Sequence, residues 1–360
     1  MITENAGVRV QEAATCFLCG EAGGQLYSRL SDRLCSAPGL WNLRSCKVCG
    51  LAWLDPQPLS DDIGKLYGSY HTHQRSEKWQ PGSLRWKLRQ AVQGVVLGSA
   101  NDQRSRWWRL IGTLAARLPA IRDWAGLDLL WMKSGARGTL LDMGCGSGEF
   151  LQEMKGLGWQ VLGIEPDPKA ARVARETSGS TVFVGRLEDA SLPDASIDVI
   201  MIHHVIEHLH DPLAALRECH RVLRVGGKVV VVTPNVMSLG HRQFREGWRG
   251  LEPPRHLFLF SRRSLRNCAQ KARLEIQALR TSARGSRANW LASRAIKRAG
   301  AREWAPGWIS NLRALTFFIN EAMARVFWPD AGEELFMIAT KPDRGCRMTG
   351  GGCAIAPGRS

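Results

Sequence analysis

The chain has no run approaching the roughly 18 uncharged apolar residues that a membrane-spanning helix needs. Its opening, MITENAGVRVQEAATCF, lacks the basic start and apolar core of a secretory signal. A cytoplasmic protein is expected. Acidic residues are also in short supply: 33 Asp and Glu stand against 49 Lys and Arg, for a formal net charge of +16. The surface field therefore attracts anions, whether nucleic acid, acidic lipid head groups or phosphorylated small molecules. Charged residues at 23% and apolar residues at 44% carry none of the bias of a disordered, collagenous or coiled-coil chain. A length of 360 residues exceeds one small module and suits about two domains of roughly 150 residues.

Ten cysteines are present, and a reducing compartment argues against a disulfide framework, so their spacing carries the information. Cys16 and Cys19 form one C-x2-C pair and Cys46 and Cys49 a second, each followed by a glycine, Gly20 and Gly50, with 26 residues between the pairs. A C-x2-C pair at a hairpin tip aims two thiolates at one point. Two such knuckles complete a four-thiolate, closed zinc shell of the structural kind. The gap exceeds the usual spacing of roughly 15 to 20, and buried cysteines or a ribbon without metal remain the alternative. Cys35, Cys145, Cys219, Cys268, Cys346 and Cys353 have no such pairing and read as small buried or surface thiols.

From Gly138 apolar runs alternate with helical patterns, which predicts a doubly wound α/β sheet. Strands are expected at Thr139–Met143, Gln160–Ile164, Thr181–Val184, Ile197–Ile202 and Lys228–Thr233, with Leu274–Leu279 and Glu334–Thr340 closing a seven-stranded sheet. Helices are expected near Ser147–Leu157, Pro168–Ser178, Pro212–Leu223 and Ser261–Lys271. The first strand runs into LDMGCGSGEF, where Gly144, Gly146 and Gly148 follow Asp142. Such a turn brings backbone close to a ligand, ahead of a helix amino terminus that favours negative charge. Glu165 ends the second strand in GIEPDP, where a carboxylate can accept both hydroxyls of a ribose. A nicotinamide-binding enzyme would normally space its glycines as G-x-G-x-x-G instead.

These motifs resemble those of class I S-adenosylmethionine-dependent methyltransferases. LDMGCGSGEF is similar to the family's first motif and GIEPDP to its ribose-binding turn; GRLEDASLPDASIDVI is similar to the adenine-side loop and fourth strand, and LRVGGKVVVVTPN to the fifth strand. CFLCG with CKVCGLAWLDPQPLSDDIGKLYGSY resembles the zinc-ribbon front end of a subgroup, many of whose members are encoded with sugar, polysaccharide or natural-product pathways. PPRHLFLFSRRSL and GEELFMIATKP match that subgroup too. The resemblance implies a Rossmann-like methyltransferase sheet with S-adenosyl-L-methionine as cofactor. By the same resemblance Asp142 would orient the methionine amino group, while Gly144, Cys145, Gly146 and Gly148 would admit its backbone. Glu165 and Pro166 would hold the ribose, Leu187 and Glu188 would lie against adenine, and His203 would line the methyl-transfer funnel. The implied reaction is methyl transfer to a small-molecule, sugar, glycan or lipid-linked acceptor, with oxygen favoured. An RNA methyltransferase and a catalytically silent binding protein are the alternatives.

HHVIEHLHDP gathers His203, His204, Glu207, His208 and His210 just past the fourth strand, where an acceptor should approach. His204 or His208 suits a general base, because imidazole titrates near working pH. His204, Glu207 and His208 have a His-x-x-Glu-His spacing that could hold a divalent cation, with His256 from PPRHLF as a further ligand. Similar ubiquinone-pathway and small-RNA methyltransferases carry Glu-x-x-Glu-His here. His204 stands where they have the first Glu, which speaks against magnesium, an ion that prefers oxygen ligands. The other reading is a Glu207–His208 pair bracing the loop without metal.

Between Arg75 and Arg137 twelve basic residues face four acidic ones, and Trp79, Trp86, Trp107, Trp108, Trp124 and Trp131 fall in that stretch. From Thr281 to Asp330 there are eight basic and three acidic residues, with Trp290, Trp304, Trp308 and Trp328. SLRWKLRQAVQGVV and WWRLIGTLAARL carry apolar residues at helical intervals. These segments read as a helical lid over the site, as a peripheral attachment to an anionic membrane, or, least favoured, as a nucleic-acid surface. The expected division is a zinc-ribbon segment at 1–70, a basic helical segment at 71–136, a methyltransferase domain at 137–342 with a lid at 281–330, and a disordered tail at 343–360.

Overall fold

The computed structural model describes residues 2–67, 83–97, 105–118, 121, 138–299 and 307–343. Expectations resting on Trp79, Trp124, Trp131, Trp304 and residues 344–360 lie outside that set. The amino-terminal region builds β1 (Ile2–Asn5), β2 (Val8–Gln11), β3 (Gly24–Leu30), β4 (Trp41–Ser45), β5 (Ala52–Leu54) and β6 (Gln57–Pro58). β1, β2 and β6 form one small sheet, whereas β3, β4 and β5 form an antiparallel sheet completed by a two-residue strand from much later in the chain. Two helices follow, α1 (Leu84–Leu97) and α2 (Arg106–Ala115). They approach closely at Gly112, where a Cβ would stand 2.4 Å from the Ala91 carbonyl oxygen.

The central domain alternates strands and helices: β7 (Thr139–Met143), α3 (Glu149–Gly156), β8 (Gln160–Glu165), α4 (Pro168–Ser178), β9 (Thr181–Val184), β10 (Ile197–His203), α5 (Pro212–Val222) and β11 (Leu223–Pro234). It continues through α6 (Leu239–Phe244), β12 (Phe258–Leu259), α7 (Arg262–Lys271), β13 (Glu275–Ser282), α8 (Ser286–Ala299), α9 (Trp308–Phe327) and β14 (Glu334–Thr340). The seven-stranded sheet runs β13-β14-β11-β10-β7-β8-β9. Six strands run in one direction, and β14 alone inserts antiparallel, between β11 and β13. Near-continuous apolar runs such as Val229–Val232 suit strands covered on both faces. Local chemistry starts the helices: Asp167 accepts from the Lys169 amide at 2.7 Å ahead of Pro168, Asp211 does the same for Ala214 ahead of Pro212, and Ser261 and Ser264 cap α7 reciprocally. β11 begins at Leu223 and not at Lys228, and β13 extends to Ser282, so the start of the expected lid is sheet.

The amino-terminal region is joined to the central domain through shared core. β12 pairs with β5 through Phe258 and Trp53, and the Phe17 and Phe258 rings lie 4.7 Å apart. One apolar cluster holds Trp41, Leu43 and Trp53 together with Phe260 and Leu265. At its edge Arg255 is fully buried. Its Nη1 donates to Asp32 Oδ2 at 2.8 Å and to the Leu66 carbonyl at 3.2 Å, and its Nε donates to Glu252 Oε1 at 3.0 Å. Asp32 also accepts from the amides of Leu34, Cys35 and Ala37. Removing one partner of a buried ion pair strands the other charges, at a cost of about 3–5 kcal/mol. Arg255→Met should therefore lower the melting temperature by about 10 °C in a thermal unfolding scan; a shift of a degree or less would show that the cluster does not hold the two regions together.

Candidate active site

The loops after β7 and β10 meet where the chain order of the sheet reverses, the position at which open α/β sheets bind ligands. Three glycines shape the first loop for three different reasons. At Gly144 (φ +76°) a Cβ would fall 2.4 Å from Val205 Cγ2, so this glycine lets the two loops touch. At Gly148 (φ +77°) a Cβ would meet the Ala174 backbone at 2.7 Å, so this one lets α4 pack closely. Gly146 (φ +53°) has nothing within 4 Å of its Cβ position, and it is the one of the three that leaves open space. Any side chain at Gly144 or Gly148 would collide with the fold itself, so glycine is required there on packing grounds as well.

Glu165 binds this loop to the next. Its Oε2 accepts from the Gly146 amide at 2.9 Å and its Oε1 from the Asp167 amide at 3.0 Å. Pro166 between them is exposed. Asp142 is buried below, and desolvation followed by the Glu165 charge pushes its pKa up to about 7. Burial raises the Cys145 thiol as well, which leaves it a packed, unreactive side chain against Gly163. The open Gly146 position beside two carboxylates suits a cationic ligand with hydroxyls, as S-adenosylmethionine is. Leu187 is completely buried and offers no open face, so of the expected adenine-side pair only Glu188 is accessible.

Beyond β10 the histidines separate by environment. His203 is exposed at the strand end, its ring centroid 4.8 Å from that of His204. His204 takes the left-handed φ of +55°, unusual for a residue with a side chain. Its Nδ1 lies 3.1 Å from Glu207 Oε1 and its Nε2 3.3 Å from Glu334 Oε1. Desolvation opposes its charge, but the two carboxylates outweigh that and raise its pKa to about 10. Both ring nitrogens of His204 thus face carboxylates, an arrangement that favours the protonated ring. Glu207 is fully buried, accepts from Thr233 Oγ1 at 2.9 Å, and is held near pKa 2 because its bond to His204 overcomes desolvation.

His208 and His256 stack edge to face at 4.8 Å. His208 Nδ1 donates to the Arg255 carbonyl at 2.9 Å, and His256 Nδ1 to the Gly250 carbonyl at 2.7 Å. Each ring thereby keeps its lone pair on Nε2. Burial lowers the His256 pKa to about 4, so that ring is neutral. Donor atoms of Glu207, His208 and His256 all lie within 4.8 Å of one another. One carboxylate with two imidazoles suits a transition metal better than magnesium. No direct Glu207–His208 bond braces the loop; Glu207 bonds to His204 and Thr233, and His208 to Arg255. His210 lies apart, its Nε2 on the Pro58 carbonyl at 2.8 Å.

Sequence reasoning missed Tyr67, whose hydroxyl is 3.3 Å from His208 Nδ1, and also Arg255, Thr233 and Glu334. Arg255 sits beside the noted His256, but nothing in one sequence points to Asp32 as its partner. In the amino-terminal region the four cysteines converge: Sγ atoms of Cys16 and Cys49, and of Cys19 and Cys46, are 3.4 Å apart, and all four fall within 4.8 Å. Both knuckles repeat one geometry, with Gly20 and Gly50 amides donating to the Cys16 and Cys46 carbonyls. Gly50 also lies against Ser261 at the start of α7, which seats the cluster on the central domain.

A family model described as a methyltransferase domain matches residues 115–279. The central domain has the class I S-adenosylmethionine-dependent methyltransferase fold. The chain is 37% identical over 142 residues to a ubiquinone biosynthesis O-methyltransferase of Xanthomonas oryzae, a match covering 36% of this chain and 57% of the relative. It is 32% identical over 170 residues to a malonyl-[acyl-carrier protein] O-methyltransferase of Serratia marcescens, covering 45% of this chain and 66% of that one. Each match spans less than two thirds of the relative's length, and the residues that the family model matches leave out the amino-terminal cysteine region and α9.

Proposed function

We propose that the protein is an S-adenosylmethionine-dependent methyltransferase acting on a small-molecule acceptor, with a hydroxyl oxygen as nucleophile. One observation carries this reading: the Gly146 amide and the Glu165 carboxylate are joined at the switch point of the sheet, beside the open Gly146 position and above buried Asp142. The two similar O-methyltransferases support oxygen as the acceptor atom. A sugar, glycan or lipid-linked acceptor is our finer reading, drawn from the four-cysteine front end.

The cofactor supplies a methyl group already activated by positive sulfur, so the chain's work is to position the reactants and exclude water. Glu165 and Asp142 offset the ligand's positive charge. His208 is assigned as the base that takes the acceptor proton on Nε2, its ring fixed by the Arg255 carbonyl. His204 is a positioning residue that holds Glu207 and Glu334 as charged neighbours. The four cysteines are assigned to a structural zinc, since Zn–S bonds of about 2.3 Å place thiolates about 3.8 Å apart in a tetrahedron, within the observed spread.

Calorimetry should show binding of S-adenosylmethionine and of its demethylated product, weakened at least tenfold by Glu165→Gln. Asp142 is about half protonated near pH 7 in the free protein, and a cationic ligand favours its ionised form. Affinity should therefore rise from pH 6 to 7.5 with net proton release, read from heats in buffers of different ionisation enthalpy. No binding by folded protein would sink the methyltransferase reading, and pH-independent affinity would sink the role given to Asp142.

Elemental analysis should find about one zinc per chain. Cys46→Ser should lower that content, and zinc-free protein with an unchanged melting temperature would remove the metal from the account.

His208→Ala should slow methylation by about 10²- to 10⁴-fold across a panel of hydroxyl-bearing acceptors while leaving cofactor affinity within twofold. Chelation separates the second reading of this cluster: activity lost to a chelator and restored by a divalent cation would assign Glu207, His208 and His256 to a metal. Unchanged turnover in His208→Ala would refute both roles.

A further inference from the structure

The helix α9 is built the wrong way round for a helix that only covers a core. Its buried contacts come from Ser310, Ala314, Phe317 and Glu321, one narrow face. The opposite face carries Trp308, Leu312, Leu315, Ile319, Met323 and Val326, all exposed, at steps of three or four residues. These positions form one continuous stripe along the helix. Over 20 residues it runs about 30 Å. Trp308 at its start is 76% exposed, and Phe327, next to Val326 at its end, is 88% exposed. Scattered surface apolar residues are ordinary, but a contiguous stripe of this length marks a contact surface.

Charge says what it contacts. α8 and α9 together carry six basic residues, Arg287, Arg294, Lys297, Arg298, Arg313 and Arg325, and one acidic residue, the buried Glu321. Arg298 of α8 and Arg313 of α9 both lie close enough to Arg294 to lower its guanidinium pKa, after desolvation, so the two helices concentrate positive charge in one place. No described acidic side chain is exposed on either helix. A second copy of the chain docking here would oppose two such clusters. An anionic lipid surface would neutralise them while burying the stripe, with tryptophan at the interface. No described helix is long and apolar enough to cross a membrane, so the contact lies along the surface. The helix α2 and the turn after it repeat the pattern, with Trp107, Leu110, Leu114 and Leu118 exposed beside Arg106, Arg109 and Arg117.

We propose that α9 is a membrane-surface element that lays its Trp308–Phe327 stripe into the head-group region of an anionic bilayer. This inference does not rest on the proposed methyl transfer. The full-length protein should co-sediment with vesicles of phosphatidylcholine containing about one third phosphatidylglycerol, and bind neutral phosphatidylcholine vesicles at least tenfold more weakly. Leu312→Ser with Ile319→Ser, both on the exposed face, should reduce binding at least tenfold at an unchanged melting temperature. Arg298→Gln with Arg313→Gln should weaken it and flatten its dependence on salt. Absence of binding to the anionic vesicles would overturn the proposal, as would binding that both double variants leave intact. Sedimentation velocity showing a dimer that Leu312→Ser with Ile319→Ser dissociates would overturn it too, and would give the stripe to a second copy of the chain.

Discussion

The buried guanidinium of Arg255 is the interaction on which the arrangement of this molecule depends. A charge with no exposure must be met by charges and acceptors, and it is met from both regions of the chain: by Asp32 and the Leu66 carbonyl of the amino-terminal region and by Glu252 of the central domain. The same residue's backbone carbonyl accepts from His208. Packing of the amino-terminal region and orientation of a histidine at the candidate site are thus properties of one residue. A front end that resembles an independent ribbon in sequence is a structural wall of the site, since Tyr67 also reaches His208.

The electrostatics of the crevice divide its carboxylates into two kinds. Asp142 lies close to Glu165, and burial followed by that neighbouring charge raises the Asp142 pKa. Glu207 and Glu334 instead face the His204 ring. The first pair is suited to meet a cationic ligand, while the second is occupied with holding the loop after β10 in a backbone conformation that His204 would not adopt by itself. Histidines four positions apart therefore do different work: His204 lies between two carboxylates, whereas His208 bonds a backbone carbonyl.

The apolar stripe of α9 lies within the segment that sequence reasoning had favoured as a lid. A lid would turn its tryptophans toward the site. Here Trp290 is buried against Phe244, whereas Trp308 and the stripe that follows it face solvent. Helical periodicity and basic composition are common to both arrangements, and only the packing tells which side of the helix the core has used.

Much of the fold was legible in the residues because its signals are local. Apolar runs of strand length, Asp-Pro pairs that begin helices and a glycine-rich turn after the first strand act over a few positions, and β7, β9 and β14 fall at the expected boundaries. The doubled C-x2-C spacing likewise pointed to four sulfurs that do converge. What sequence could not decide was everything set by contact across distance. That Gly144 and Gly148 serve packing while Gly146 stays open depends on Val205 and Ala174. That His204 holds its proton depends on Glu334, 130 positions away. Residue type and spacing determine which groups are available; the free energy of a proton, a charge or an apolar face depends on what surrounds it, and only the tertiary structure supplies those surroundings.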